Sequence, residues 1–167
     1  LLLHNTYCIP TSPWLIPPDT SLTTLGISDN QLNGAIPQST LILENPHTLG
    51  LNGNNMCGPI PFQIAMLKNI QRLFQYDNRF AGFIPESTGN LTKLEPMLLS
   101  HNQLSSNILP SLFHLDCLIQ LHLSHTLLTS ALPVDIGSLE QICNMDLSSN
   151  RLVGSIPESI GQLQMIE

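Results

Sequence analysis

Histidine and acidic residues in the second half of the chain have spacings that could support metal binding or acid sensing. His101 and His125 are separated by the same interval as His122 and Asp146. Two imidazoles, or an imidazole and a carboxylate, held side by side could bind a metal ion or respond to acid pH. A polar residue is also ordinary at this place in the repeat described below. We therefore expect no metal site and no cofactor.

The motifs of common enzymes are missing from the sequence. It contains no GxSxG, no phosphate-binding loop, no HExxH and no paired-carboxylate pattern. A hydrolase would need a nucleophile, a base and an orienting acid that converge. The many serines and histidines follow from the phase of the repeat instead, so we predict that the chain is not an enzyme.

The charge of the chain argues against nucleic acid and anionic membranes as partners. Five Lys and Arg stand against twelve Asp and Glu, which gives a net charge of −7, and the basic residues form no cluster. Binding to phosphate backbones depends on such clusters. At 42% apolar residues the chain is too apolar to be disordered, and it has no apolar run long enough to span a membrane. The sequence thus predicts a folded domain with no membrane segment in this chain.

The polar residues recur in phase because most of the chain is a repeat with a constant interval. One residue type marks the copies, at Asn30, Asn54, Asn78, Asn102 and Asn150, and Thr126 fills the remaining place. Apolar residues stand five before, two after, six after and thirteen after this position in all six copies. Four apolar columns in register predict coils that stack and bury a common core.

Each copy also contains the elements of one coil. A short LxL segment before the Asn has the alternation of a strand in a parallel sheet. The Asn amide offers two donors and an acceptor, so a stacked column of these amides could satisfy backbone groups at the turn. Bending or ladder-ending residues follow at Gly34, Gly58, Gly82 and Gly154, and at Pro37, Pro61, Pro85, Pro133 and Pro157.

These residues resemble the plant-specific class of leucine-rich repeats, with the consensus LxxLxLxxNxLxGxIPxxLGxLxx, from about residue 22 to residue 166. The resemblance implies an α/β-type repeat solenoid. This would be a right-handed superhelix with a parallel sheet on its concave side and a mostly irregular or 3-10 convex side. We expect residues 22–167 to form this domain with about six 24-residue repeats. Residues 1–21, which contain Cys8 and the segment CIPTSPWLIPPD, would form an irregular segment or a damaged repeat. The last copy ends with the chain, which suggests a fragment of a longer array.

Several copies depart from the consensus. Gln75 stands where an inward leucine belongs, and its amide needs a partner or costs on the order of 1–3 kcal/mol. Thr126 supplies one donor where Asn supplies two. Ser106 and Ser130 replace the bending glycine, and Leu109 replaces the proline. Further replacements of apolar residues are Thr40, Thr88 and Pro46. We expect a lower stability than that of a consensus array, without a change of fold.

Binding residues are expected at the outward positions of the strands. Arg72, Phe74 and Tyr76 alternate outward from one strand, and Arg and aromatic side chains are over-represented at binding hot spots. Small residues in the two preceding copies leave space beside them, although an aromatic here is also common as part of the sheet surface. The predicted ligand-binding residues are Arg72, Phe74, Tyr76, Leu98, His122 and Asp146.

The cysteines and one glycosylation acceptor complete the candidates. Cys8, Cys57, Cys117 and Cys143 have no CxxC spacing and are too sparse for a disulfide scaffold, so we expect free thiols. Cys117 and Cys143 would lie close together on adjacent coils but are not clearly bridgeable. Asn90-Leu91-Thr92 is the one N-glycosylation acceptor, at Asn90.

The resemblance implies an extracellular module, in the apoplast or at the cell surface, like the ectodomain of a plant receptor-like kinase or receptor-like protein. Such a module recognises a peptide or protein ligand in defence or development, often together with a co-receptor. Two alternatives stay open. Polygalacturonase-inhibiting proteins use the same repeats but carry cysteine caps at both ends. Ice-binding repeat proteins need a flat polar array, for which Ser100, Ser124 and Ser148 are aligned.

Overall fold

A computed structural model describes residues 21–163 of the chain. They form six stacked coils, which we number 1 to 6 after the repeat positions 30, 54, 78, 102, 126 and 150. Residues 1–20, including Cys8, and residues 164–167 lie outside the described part. Most of the predicted irregular N-terminal segment is therefore not described.

The first strand of every coil joins one parallel sheet, which we call the front sheet. The central residue of each strand points into the core, and Leu49, Leu73, Met97 and Leu121 are at most 1% exposed. Neighbouring strands pair residues at the same place in consecutive copies, for example Leu25 with Leu49. The repeat interval and the sheet register are thus the same, which confirms the predicted parallel sheet. The strands, in sheet order, are β1 (Thr24–Gly26), β3 (Thr48–Gly50), β5 (Arg72–Phe74), β7 (Pro96–Leu98), β9 (Gln120–His122) and β11 (Asn144–Asp146).

A second parallel sheet, which we call the side sheet, follows the turn and was not predicted. Its paired residues, such as Cys57 and Arg79, are two positions closer in sequence than the paired residues of the front sheet. The side sheet is therefore staggered relative to the repeat at every coil. These strands have too few alternating apolar residues to be recognised from sequence. They are β2 (Asn33–Gly34), β4 (Asn55–Gly58), β6 (Arg79–Gly82), β8 (Gln103–Ser106) and β10 (Leu127–Leu128).

A 3-10 helix in each coil returns the chain toward the front sheet, as predicted. Proline caps the N-terminus of five of them, because its fixed φ suits the extended residue before the helix. In coil 4, Leu109 takes the cap position and Pro110 is the first helical residue, which a helix tolerates. The helices are η1 (Gln38–Ile42), η2 (Phe62–Met66), η3 (Glu86–Asn90), η4 (Pro110–His114), η5 (Val134–Ser138) and η6 (Glu158–Gln162).

An amide column links neighbouring coils at the end of the front strands. Asn102 Oδ1 accepts a hydrogen bond of 2.9 Å from Phe80 N. Its Nδ2 donates to the carbonyls of Gln75 and Leu99, both at 2.9 Å. Each such amide thereby satisfies backbone groups of its own coil and of the preceding coil. Equivalent bonds are made by Asn54, Asn78 and Asn150.

Coil 5 has a weaker link at this position. The Thr126 hydroxyl contacts the Leu123 carbonyl at 2.9 Å and Asn150 Oδ1 at 2.5 Å. A hydroxyl has one hydrogen, so it can donate to only one of them. Neither contact links Thr126 to coil 4, whereas the amide of Asn102 does bond to the coil that precedes it.

Three polar side chains lie inside the core without a hydrogen-bond partner among the described residues. Gln75 is 0% exposed, and both its Nε2 and its Oε1 lack a partner. Thr40 and Thr88 are 1% exposed, and their hydroxyls also lack a partner. The fold of the coils is therefore kept at these three sites, and each unpaired buried polar group lowers the free energy of unfolding.

Serine stands at the position of the bending glycine in coils 4 and 5, and the two serines differ in backbone conformation. Ser106 adopts a φ of 79° where four other coils have glycine at 83° to 86°. Ser130 does not adopt this conformation, and strand β10 of that coil has only two residues.

The expectation of four free cysteines is wrong for Cys57, which is disulfide-bonded. Cys117 and Cys143 are free and exposed.

Candidate ligand-binding surface

The outward residues of the front sheet form a continuous surface across the coils. Gly26 pairs with Gly50, which pairs in turn with Phe74, so the strands of coils 1 and 2 carry no side chain at the Phe74 position. Phe74 pairs in turn with Leu98 of the next strand. Arg72 is exposed, whereas Phe74 and Tyr76 are half-buried. Coil 3 thus presents three large side chains next to strands that have glycine at the Phe74 position.

A cavity of about 310 Å³ lies on this surface, between coils 3 and 6. Four of the six predicted binding residues line it, namely Tyr76, Leu98, His122 and Asp146. Arg72 and Phe74 do not line it and lie on strand β5, before Tyr76. The structure thus separates the predicted set into a cavity group and an adjacent pair. The remaining lining residues are Ser100, His101 and Ser124.

These three residues were not predicted as part of a common binding site. Ser100 and Ser124 occupy outward positions two before the repeat Asn, but they are only 8% and 4% exposed. Their repeat phase places them beside the predicted residues and could have indicated the site. Their burial could not have been deduced, since it depends on how closely neighbouring coils pack.

Hydroxyl and amide donors surround the acidic end of the cavity. The hydroxyl oxygens of Ser124 and Ser100 lie within hydrogen-bond distance at 2.9 Å, and Ser148 N donates to Asp146 Oδ1 at 3.0 Å. The Ser148 hydroxyl lowers the pKa of Asp146 most, followed by the Ser124 hydroxyl and the Ser148 amide. Partial burial opposes this shift, and the charge of His122 adds a smaller favourable interaction. The pKa of Asp146 is lowered from 3.8 to about 2, so the carboxylate is ionised at physiological pH.

Two of the histidines stack on each other, whereas His122 has a buried ring nitrogen without a hydrogen bond to the described residues. The rings of His101 and His125 stack with centroids 4.3 Å apart and an interplanar angle of 11°. Their φ angles are 54° and 52°, because the position before the repeat Asn requires the left-handed conformation. His122 Nε2 is buried and makes no hydrogen bond to the described residues. Within residues 21–163 no three His, Cys, Asp or Glu side chains come close enough to hold a metal ion.

Solved structures of plant receptor proteins are similar to this chain. A Leucine Rich Repeat family model matches residues 141–163. The BIR3–SERK2 complex from Arabidopsis thaliana has a chain that is 31% identical, with a TM-score of 0.72, and the match covers 80% of this chain and 70% of that one. The chain belongs to the leucine-rich-repeat family. No curated protein sequence matches this leucine-rich-repeat chain.

Receptor ectodomains with bound ligands match a larger share of the leucine-rich-repeat chain. The ectodomain of the Arabidopsis thaliana receptor kinase GASSHO1/SCHENGEN3, in complex with CASPARIAN STRIP INTEGRITY FACTOR 2, is 33% identical, with a TM-score of 0.87 over 90% of this chain. The Arabidopsis receptor kinase HAESA, in complex with the peptide hormone IDA and the co-receptor SERK1, is 34% identical, with a TM-score of 0.84 over 87% of this chain. The chain spans only 19% and 24% of these two proteins.

A plant ice-binding protein has the same fold at lower identity. It is 25% identical with a TM-score of 0.78, and the match covers 89% of this chain and 49% of that one. The plant receptor-like character of the repeats therefore does not by itself assign one activity.

No helix within residues 21–163 is long and apolar enough to cross a membrane.

Proposed function

We propose that the chain is a non-catalytic recognition module that binds a peptide or protein ligand on its front sheet, as in plant receptor ectodomains of defence or development. The observation that carries the proposal is the cavity of about 310 Å³, which Tyr76 lines and beside which Arg72 and Phe74 lie. A concave site in which polar groups converge beside apolar and aromatic side chains is a common form of a binding pocket. The similarity to HAESA with its bound hormone and co-receptor supports a peptide as the ligand and a co-receptor as a second partner.

The coil 3 residues supply the contact area that such a ligand needs. An aromatic side chain on a sheet has few rotatable bonds, so little conformational entropy is lost when a ligand covers it. Arg72 is exposed and adds a charged donor fork at the edge of the surface. Gly26 and Gly50 place no side chain of coils 1 and 2 at the position of Phe74. This arrangement favours an extended peptide that runs across the strands.

Peptide selection with a paired variant tests the proposal. We expect a phage-displayed library of random short peptides to yield binders to the purified chain. Replacing both Phe74→Ala and Tyr76→Ala should weaken their binding at least tenfold while the circular dichroism spectrum and melting temperature stay unchanged. Phe62→Ala is the matched control, because Phe62 is an aromatic residue 68% exposed in helix η2, away from the front sheet. Binders that tolerate the double variant would contradict the proposal, and so would a selection without binders.

An extracellular location is part of the same proposal. Asn90 and Thr92 are exposed, so the one glycosylation acceptor is accessible in the folded chain. We expect the protein to carry an N-glycan when it is sent through the secretory pathway of plant cells. The glycan should be visible as a mass shift that peptide N-glycosidase treatment removes. An Asn90→Gln variant should lack the shift, and a wild-type protein without any glycan would count against this part.

Ice binding is the second candidate, favoured by the similarity to the plant ice-binding protein. A flat array of exposed hydroxyls would be needed on one face. Ser100 and Ser124 are nearly buried and bonded to each other, which leaves Ser148 as the exposed member of the aligned serines. An ice-recrystallisation assay distinguishes the candidates, since inhibition at micromolar protein would favour ice binding over peptide recognition.

A further inference from the structure

The cavity between coils 3 and 6 has an uneven distribution of charge. Asp146 is its one carboxylate, and none of the lining residues is Lys or Arg. The imidazoles of His101 and His122 and the hydroxyls of the two serines add polar atoms that can donate or accept hydrogen bonds. Among the lining residues, the negative charge therefore lies at one end of the cavity, at Asp146.

The negative end is held in a fixed position. The Ser148 amide donates to Asp146 Oδ1 at 3.0 Å, which fixes the carboxylate at the end of strand β11. The same group of donors keeps the pKa of Asp146 at about 2, so its charge persists at every physiological pH. A carboxylate that is already oriented needs little reorganisation to bind a cation.

The opposite end of the cavity is apolar and aromatic. Leu98 and Tyr76 line it on coils 4 and 3 and are partly exposed. The spacing of parallel strands places coil 3 about 14 Å from coil 6, which is three strand intervals. A basic side chain that enters between them could lay its methylene stem along Leu98 while its head reaches the carboxylate.

We propose that this cavity binds the basic side chain of an Arg or Lys residue in the peptide ligand, with its charged head at Asp146 and its stem over Leu98. This inference rests on the proposed function and names the ligand residue that the front sheet selects. Arg fits better than Lys, because its planar fork can donate two parallel hydrogen bonds to the carboxylate.

Other occupants fit the cavity less well. An anionic group would meet the Asp146 carboxylate and find no Lys or Arg among the lining residues. A metal ion lacks three suitable ligands anywhere in the described residues. A purely apolar group would remove the Asp146 charge from water without supplying an opposite charge, which is costly.

A small probe tests the cavity without a known ligand. N-acetyl-arginine methylamide should cause saturable amide chemical-shift changes at Ser100, Ser124 and Asp146 in heteronuclear NMR spectra. The citrulline analogue, which has nearly the same shape without the charge, should bind at least tenfold more weakly. Asp146→Asn should reduce the affinity for the arginine probe about tenfold or more, which corresponds to the loss of one charge-assisted hydrogen-bonded pair.

Asp135→Asn is the matched control, since this acidic residue lies in helix η5 outside the cavity. It removes the same charge from the protein and should leave the affinity for arginine unchanged. Equal binding of arginine and citrulline, or an equal effect of both Asn variants, would overturn the inference.

The selected peptides separate this inference from the proposed function. We expect Arg or Lys to be enriched at one position of the binders, and this preference should disappear when the selection is repeated on Asp146→Asn. Binders that depend on Phe74 and Tyr76 but show no basic preference would refute the cavity inference and leave the recognition module in place. An arginine probe that binds the cavity while no peptide is selected would refute the recognition module and leave only the affinity of the cavity for a basic group.

Discussion

The buried amide of Gln75 should destabilise the chain, and replacing it with leucine should reverse this. Gln75 is 0% exposed with both polar atoms unpaired, between Leu51 and Leu99 at the equivalent positions of the neighbouring coils. A buried polar group without a partner costs about 1–3 kcal/mol. Leucine has a similar volume and removes this cost, while the Gln75 backbone N and O keep their bonds to Leu98 and Asn102. We expect Gln75→Leu to raise the free energy of unfolding by about 2–4 kcal/mol, since apolar burial adds to the effect.

Urea unfolding followed by circular dichroism measures this gain. With a urea m-value of about 2 kcal/mol per molar, the midpoint should rise by about 1–2 M at constant m. The reciprocal variant Leu99→Gln places an unpaired amide one coil further along and should lower the midpoint by a similar amount. Gln120→Leu, at a partly exposed position of strand β9, controls for the gain in hydrophobicity and should change little. An unchanged or lower midpoint for Gln75→Leu would refute the reasoning, because it would mean that the amide has a partner.

Three further predictions concern single positions of the stack. Thr126→Asn should raise the free energy of unfolding by about 1–2 kcal/mol, because the amide adds bonds to coil 4 that the hydroxyl cannot make. Asn102→Thr should lower the free energy of unfolding for the same reason. Urea midpoints that move in the opposite directions would contradict this reasoning. Ser106→Gly should add about 1 kcal/mol by relieving a positive φ, and no gain in thermal melting would argue against strain there. Asp146 has a folded-state pKa below its unfolded value, so it stabilises the chain above about pH 4 and this contribution is lost as the pH falls through about 2. The stability difference between wild type and Asp146→Asn should therefore vanish over this range, and a difference that persists below it would exclude the carboxylate as its cause.

The repeat made most of the front sheet predictable. Its interval equals the register of the strands, so each inward leucine pairs with the apolar residue at the same place in the next copy. The side sheet was not predictable in this way, because its register is two positions shorter than the repeat, arises from backbone pairing between coils and leaves no apolar alternation. The disulfide of Cys57 was missed for a related reason, since cysteine spacing says little about which residues the fold brings together.

The candidate site was predictable in part. Repeat phase alone placed Tyr76, Leu98, His122 and Asp146 on the same outward surface. It did not indicate that Arg72 and Phe74 lie outside the cavity, or that two serines lie within it. Side-chain size and packing between coils decide which outward residues enclose a space, and neither has a period in the sequence.

The sequence by itself determined the fold and the number of coils in its repeating part, and it predicted the face on which we propose that a ligand binds. These properties depend on the local pattern within each copy, and this pattern is written six times. Only the tertiary structure decided which departures from that pattern carry a cost and which residues line the candidate cavity. The Gln75 amide is left unpaired by its neighbours, whereas the Asp146 carboxylate is met by donors from Ser148 and the adjacent coil. The physical reason is that a polar group gains or loses free energy through the partners that surround it, and many of these come from the neighbouring coils of the stack.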